Sequence, residues 1–207
     1  MVYPNFSGDQ MTYTVLDRSG ARILLAEGGV SNEEGARLDR AIQQAGAVDE
    51  VWLSSPGGNL AQGMAMGRVL HKRGLMARVP DAHACVSACT IAFLGAPLRS
   101  VDPTGYYGIH MFSGFFDDQR ATEQKQQLQK LLAAADRIQK GGSDEMFRIY
   151  MMDMERSTAV SAGELARYLV EMSASLEFLS GMFGQKQLGV CYVNQAGLKR
   201  YNVVNTE

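Results

Sequence analysis

Residues 82–96, Ala-His-Ala-Cys-Val-Ser-Ala-Cys-Thr-Ile-Ala-Phe-Leu-Gly-Ala, carry Ser87 between a short apolar strand (residues 75–79) and an apolar helix. A hydroxyl at such a turn stands clear of the backbone, and the first helical turn offers unpaired N–H groups beside it. That placement suits a nucleophile: an exposed oxygen, the positive end of a helix dipole, and main-chain donors for a developing oxyanion. The same serine would serve equally as an ordinary N-cap. A second stretch, Ser54-Ser55-Pro56-Gly57-Gly58-Asn59, joins a strand to a helix. Pro56 has no N–H, and Gly57 and Gly58 can turn theirs into a pocket without steric penalty, or simply make a tight turn. It is a poor phosphate loop, because neither the Walker spacing with its lysine nor Gly-x-Gly-x-x-Gly is present. His110, near the end of a predicted strand, could move a proton. Histidines so placed are commonly hydrogen-bonded core residues.

The elements that must position these residues follow from periodicity. Residues 11–16 and 21–26 read as strands around a turn, the first alternating and the second a nearly continuous apolar run. Ser31 or Asn32 is expected to cap a helix in which Leu38, Ala41, Ile42 and Ala45 recur at helical spacing, closed by Gly46. Residues 50–54 form the next strand, so strand–helix–strand order predicts a parallel, right-handed crossover. A helix over 60–72 has Gly63 and Gly67 four apart, a face that can approach another backbone closely. Residues 98–101 and 106–111 read as strands around a turn at 102–105. From 117 to about 140, Leu128, Leu131, Leu132, Ala135 and Ile138 form the stripe of a long amphipathic helix, its Gln-rich face solvated or making an oligomer contact. Gly141-Gly142 is expected to interrupt it, with Ser143 capping a helix over 144–152. Met146, Met151, Met152 and Met154 read as core filler. Ser161-Ala-Gly-Glu164 has the form of a capping box, stapled by Val160 and Leu165, that opens a short helix to about 171. Beyond it, a helix over 176–183, a strand over 188–193 and a polar end carry no recognisable chemistry. With no repeat or linker, the expected partition is one domain, 1–207, with its core over about 11–172 and an extension over 173–207.

The chain of 207 residues is 46% hydrophobic and 20% charged, with net charge -2. Such a chain can bury a sizeable core. Nothing is basic enough to indicate a nucleic-acid partner. No apolar run approaches the roughly 18 residues that cross a bilayer, and the first residues lack a secretory profile. The sequence as it stands predicts a cytoplasmic protein, although a chain whose signal had been removed would read the same and be periplasmic. Three cysteines do not make a disulfide framework. Cys85 and Cys89 flank Ser87 and could approach one another, leaving Cys191 odd. No Cys/His spacing fits zinc, so neither metal nor cofactor is expected.

Taken in order, these segments resemble the ClpP-like serine peptidases of the ClpP/crotonase superfamily over roughly residues 23–172. Ile23-Leu-Leu-Ala-Glu-Gly-Gly-Val30 is similar to that family's first core strand and turn, and Leu53-Ser-Ser-Pro-Gly-Gly58 to its oxyanion loop. Val86-Ser-Ala88 falls where its nucleophile sits and Gly108-Ile-His110 where its histidine closes a strand, 23 residues beyond Ser87. Asp153, eight residues before Ser161-Ala-Gly-Glu164, resembles the family's acid followed by its Ser-Ala-Pro-Glu helix. The resemblance implies an α/β fold of repeated β-β-α units with a parallel sheet and a protruding long helix. It implies a serine endopeptidase acting on peptides or unfolded proteins. In it, Ser87 is the nucleophile, His110 the general base and then acid, and Asp153 the group that orients His110. The N–H groups of Gly58 (or Gly57) and Ala88 hold the oxyanion. Asp117, Asp118, Asp136 and Asp144 also follow His110, and only the capping-box spacing selects Asp153. The two cysteines around Ser87 are similar to a less characterised ClpP-like subgroup rather than the housekeeping enzymes. No counterpart of the gate loops or unfoldase-docking surface is found, which leaves an ATPase partner open, while the helix over 117–140 lies where ClpP carries its ring-stacking handle and implies a homo-oligomer. Three other readings share the scaffold. They are a crotonase-type acyl-CoA enzyme needing no triad, a Ser–Lys peptidase using Lys72, Lys125 or Lys130, and a non-catalytic assembly module.

Overall fold

The computed structural model describes residues 8–18, 20–111, 118–184 and 189–206. The chain divides into two compact units, one of Met1–His110, Ala166–Lys186 and Val190–Glu207, the other of Met111–Leu165 and Gln187–Gly189.

In the first unit, β1 (Thr12–Arg18) and β2 (Ala21–Glu27) form an antiparallel hairpin. The chain crosses through α1 (Glu34–Ala45) to β3 (Glu50–Ser54), which lies parallel to β2, as strand–helix–strand order requires. Then come α2 (Leu60–Arg73), β4 (Met76–Val79), β5 (Ala84–Val86), α3 (Ala88–Leu94), β6 (Arg99–Val101) and β7 (Tyr106–Ile109). The main sheet runs β1-β2-β3-β4-β6, parallel beyond β1. Leu24, Val51 and Ala77 stand side by side across it, all buried, as do Ala26 and Leu53. Such continuous burial is what a parallel sheet covered on both faces demands.

Residues 84–86, read from the sequence as part of a turn, form β5. It leaves the main sheet to pair in parallel with β7, which also pairs antiparallel with β8 (Cys191–Tyr192). The strands around the 102–105 turn therefore serve different sheets. Asp102 N–H donates to the Val79 carbonyl at 2.9 Å and Tyr106 N–H to that of His83 at 2.9 Å, so each strand pairs with its own upstream neighbour.

Helices α2 and α3 approach through glycine. A side-chain carbon on Gly67 would strike the Tyr168 hydroxyl and lie 3.1 Å from the Ala92 carbonyl, and one on Gly63 would strike the Ala88 carbonyl. The small-residue face read from the sequence is the contact.

The start of α1 differs from expectation. Glu33, with φ 61°, occupies the N-cap position and no side chain caps the helix. The Ser31 hydroxyl instead donates to Glu34 Oε2 at 2.6 Å. Glu34 is fully buried, and a buried carboxylate must be surrounded by donors. The Ser31 N–H at 3.2 Å, Tyr13 Oη at 2.8 Å and Arg37 Nη1 at 3.0 Å complete the set.

The second unit is a helical hairpin. α4 (Asp118–Ile138) turns at Gly141 into α5 (Gly142–Glu171), a single helix of 30 residues where two were expected. Ser143 does not cap; its N–H donates to Asp136 Oδ1 at 2.9 Å. The Ser161–Glu164 pattern lies inside the helix, because the one weak position, Gly163, costs only about 1 kcal/mol and nothing else there breaks a helix. Met151 and Met152 face solvent rather than filling a core.

The C-terminal part holds α6 (Glu177–Phe183) and α7 (Gln195–Arg200), the latter within the supposedly polar end. Leu188, the predicted start of the last strand, lies outside the described residues. Arg99, fully enclosed, donates to the main-chain carbonyls of Ala96 at 2.7 Å, Val203 at 2.8 Å and Asn202 at 3.1 Å, which ties the chain end to the turn after α3. Among the described residues no helix is long and apolar enough to cross a membrane, and no His/Cys/Asp/Glu group could hold a metal ion.

Candidate active site

Ser87 occupies the turn between β5 and α3 with φ 57° and ψ −125°. Side-chain-bearing residues seldom adopt a positive φ, and such backbone persists at a cost on the order of 1–3 kcal/mol only where the surroundings impose it. Here they do. The Ser87 N–H donates to the Gly108 carbonyl at 3.0 Å. Its carbonyl accepts from the Thr90 N–H at 2.9 Å and the Thr90 hydroxyl at 2.6 Å. A disulfide joins Cys85 to Cys89 across it, their Cα atoms 5.3 Å apart. Ser87 stands at the N-cap position of α3, yet its side chain makes no capping hydrogen bond. The half-buried hydroxyl is therefore not engaged by its own helix.

Helix α3 is itself anchored. The Tyr107 hydroxyl donates to the Thr90 carbonyl at 3.1 Å and that of Tyr168 to the Ile91 carbonyl at 2.8 Å. Burial pushes both phenols above the usual tyrosine range, which keeps them neutral donors.

The glycine loop lies against the serine. Gly57 is buried with φ +94°, and a side-chain carbon there would come 2.5 Å from Ser87 Cβ and 2.9 Å from the Ala88 nitrogen. Its N–H donates to Ser55 Oγ at 3.1 Å, and its carbonyl accepts from Val30 N–H at 2.8 Å. Asn59 N–H returns to the Val30 carbonyl at 2.9 Å, so the peptides on either side of Gly58 are fixed against Val30. Among the described residues no hydrogen bond engages the N–H of Gly58 or of Ala88.

His110 follows β7 directly and is half-buried. Strands β5 and β7 run in parallel with Val86 opposite Gly108, so Ser87 and His110 leave adjacent strand ends. Asp153 belongs to the second unit, on α5, where it lines a cleft of about 570 Å³ with Gln124, Tyr150, Ser157 and Thr158. Of the other acids after His110, Asp136 accepts from the Ser143 N–H, Asp144 opens α5, and the Asp117 residue and Asp118 side chain fall outside the described residues. Lys72 lies in the last turn of α2, and Lys125 and Lys130 on α4.

Two residues escaped the sequence reading. Ser55, fully buried, orients the Gly57 peptide, and its signal was a hydroxyl two residues before the glycine. Thr90 holds the Ser87 carbonyl, and its signal was the Ser-x-x-Thr spacing.

No protein-family profile and no curated protein matches the sequence. Among solved structures, a point mutant of ClpP1 from Listeria monocytogenes is similar at TM-score 0.52 over 88% of this chain and 88% of its own, with 15% sequence identity. The chain has the ClpP fold. The α/β architecture expected from the sequence, with its parallel sheet and long helix, is thereby borne out. An enoyl-CoA hydratase from Bacillus halodurans overlaps 47% of this chain and 53% of its own at TM-score 0.36 and 10% identity. In the ClpP fold of this chain, the strand–turn–helix bearing Ser87 and the Ser-Pro-Gly-Gly loop pack against one another as described.

Proposed function

We propose that this protein is a ClpP-like serine peptidase hydrolysing peptides or unfolded chains. The observation that carries the reading is Ser87 itself, a serine held at positive φ, its hydroxyl released from helix capping, next to the unengaged N–H of Ala88 and against the loop that carries the unengaged N–H of Gly58. In this reading the Ser87 oxygen attacks the scissile carbonyl. His110 takes the hydroxyl proton and returns it to the leaving amine. Gly58 and Ala88 donate to the tetrahedral oxyanion, while Gly57 shapes the loop because Ser55 already holds its N–H. Asp153 is the proposed acid on sequence order. Self-association through the second unit belongs to the same reading, supported by exposed Ile149, Met152 and Val160 on α5.

Active-site labelling tests it. A fluorophosphonate should label the wild type, Ser87→Ala should abolish the label, and His110→Ala should slow it by about 10²–10⁴-fold. Asp153→Asn should slow it without eliminating it. A folded wild type that stays unlabelled and instead binds coenzyme A tightly would overturn the proposal.

A further inference from the structure

The disulfide between Cys85 and Cys89 has no part in the proposed chemistry, yet its two ends bracket Ser87, one on β5 and the other in the first turn of α3. Both cysteines are fully buried, as are Ala84 and Ala88 around them. A serine between a strand and a helix ordinarily gives its side-chain oxygen to the helix's own N–H groups and so fixes the entry of the chain. Here that hydrogen bond is missing and the backbone is held at φ 57° instead.

We propose that Cys85 and Cys89 are positioning residues, their disulfide replacing the capping hydrogen bond so that the Ser87 hydroxyl is spared for reaction. A covalent tie from residue 85 to residue 89 fixes the direction in which α3 leaves β5 without help from the serine side chain. The remaining restraints act on the main chain of Ser87. They are Gly108 on its N–H and Thr90 on its carbonyl. Without the tie, the turn can relax to negative φ, where the serine oxygen caps α3 and its nucleophilicity is lost to that hydrogen bond. The tie is static: two buried sulfurs offer no face to an attacking thiolate while the chain is folded. It is a structural bond in the reactive turn, not an exposed switch.

This inference rests on Ser87 being the nucleophile, and its test separates the two. Wild type, Cys85→Ala/Cys89→Ala and the volume-conserving Cys85→Val/Cys89→Ala are checked for folding by circular dichroism. Fluorophosphonate inactivation is then resolved into KI and maximal rate well below each melting transition. Loss of positioning predicts a maximal rate at least tenfold lower with KI unchanged. A role in stability alone would lower the melting temperature and leave that rate intact, which overturns the proposal. A second perturbation needs no substitution. Wild type is unfolded with a phosphine, which takes an oxygen from water as the disulfide gains two hydrogens, then refolded under reductant with the added mass verified. It should show the same fall, and wild-type rates in this reduced form would overturn the proposal. If the oxidised wild type is not labelled, the peptidase reading fails by itself. Amide hydrogen exchange over residues 86–90 then decides: faster exchange confined to that turn in the reduced protein supports the tie, and unchanged exchange ends it.

Discussion

At Gly57 the loop and Ser87 touch so closely that a methyl group decides between them. Three constraints meet at this residue. Its φ is +94°, its N–H is held by Ser55, and its missing side chain leaves the space that Ser87 Cβ occupies. Gly57→Ala would have to push the Ser87 turn or the loop away by a sizeable fraction of an ångström. We expect a stability loss of about 1–3 kcal/mol. Labelling of Ser87 should slow by about 10²–10³-fold, the size of effect seen when an oxyanion donor is lost. Denaturant titration and labelling kinetics on the same preparation check both. A variant that loses stability and keeps its labelling rate would dissociate the loop from the reaction. Both glycines of the loop are held, each by its own partner. The buried Ser55 hydroxyl accepts from the Gly57 N–H, and Val30 fixes the peptides on either side of Gly58.

Among the elements, the α2–α3 crossing sets where the turn bearing Ser87 sits. Gly67 admits no side chain, because the Tyr168 hydroxyl and the Ala92 carbonyl fill the space, whereas Gly163 on α5 has nothing within 4 Å. Gly67→Ala should therefore destabilise by about 1–3 kcal/mol through overpacking, and Gly163→Ala should stabilise by up to about 1 kcal/mol through helix propensity. Urea unfolding of the pair is the measurement, and opposite signs are the expected outcome. The Gly63/Gly67 face was legible beforehand because glycine at helical spacing has a purely local meaning. So were the β2–α1–β3 crossover and the strand-to-helix placement of Ser87, each marked by apolar period and a turn. What stayed hidden depends on partners distant in sequence. β5 has three residues and becomes a strand only because β7 arrives beside it. Ser31 reads as a cap until the buried Glu34 claims its hydroxyl. Ser161 and Glu164 have capping-box spacing, but a cap needs a chain that has left the helix, and nothing there makes it leave. For Asp153 the sequence offered an order of residues, and spacing alone does not fix the reach of a carboxylate.

At the scale of the whole molecule, the second unit carries apolar surface that water should not keep. Ile149, Met152 and Val160 lie at helical spacing on α5, exposed at 52%, 68% and 52%, and Ile138 near the end of α4 is exposed at 88%. Single exposed apolar residues are ordinary, but several on one helix mark a contact surface. Sedimentation velocity on the full chain should show a multimer, with Ile149→Glu/Met152→Glu shifting it to a smaller species while circular dichroism stays unchanged. A wild type that sediments as a monomer at micromolar concentration would remove assembly from the proposed function.

The Arg99 guanidinium makes two distant parts of the sequence depend on one another. Because it grips Asn202 and Val203 with one edge and the Ala96 carbonyl in the turn after α3 with another, the segment after α7 acts as a keystone for the middle of the chain. Displacing the carbonyls of residues 202 and 203 would strand a buried cation with too few acceptors. Damage there would be felt at the turn after α3, about a hundred residues upstream in the sequence.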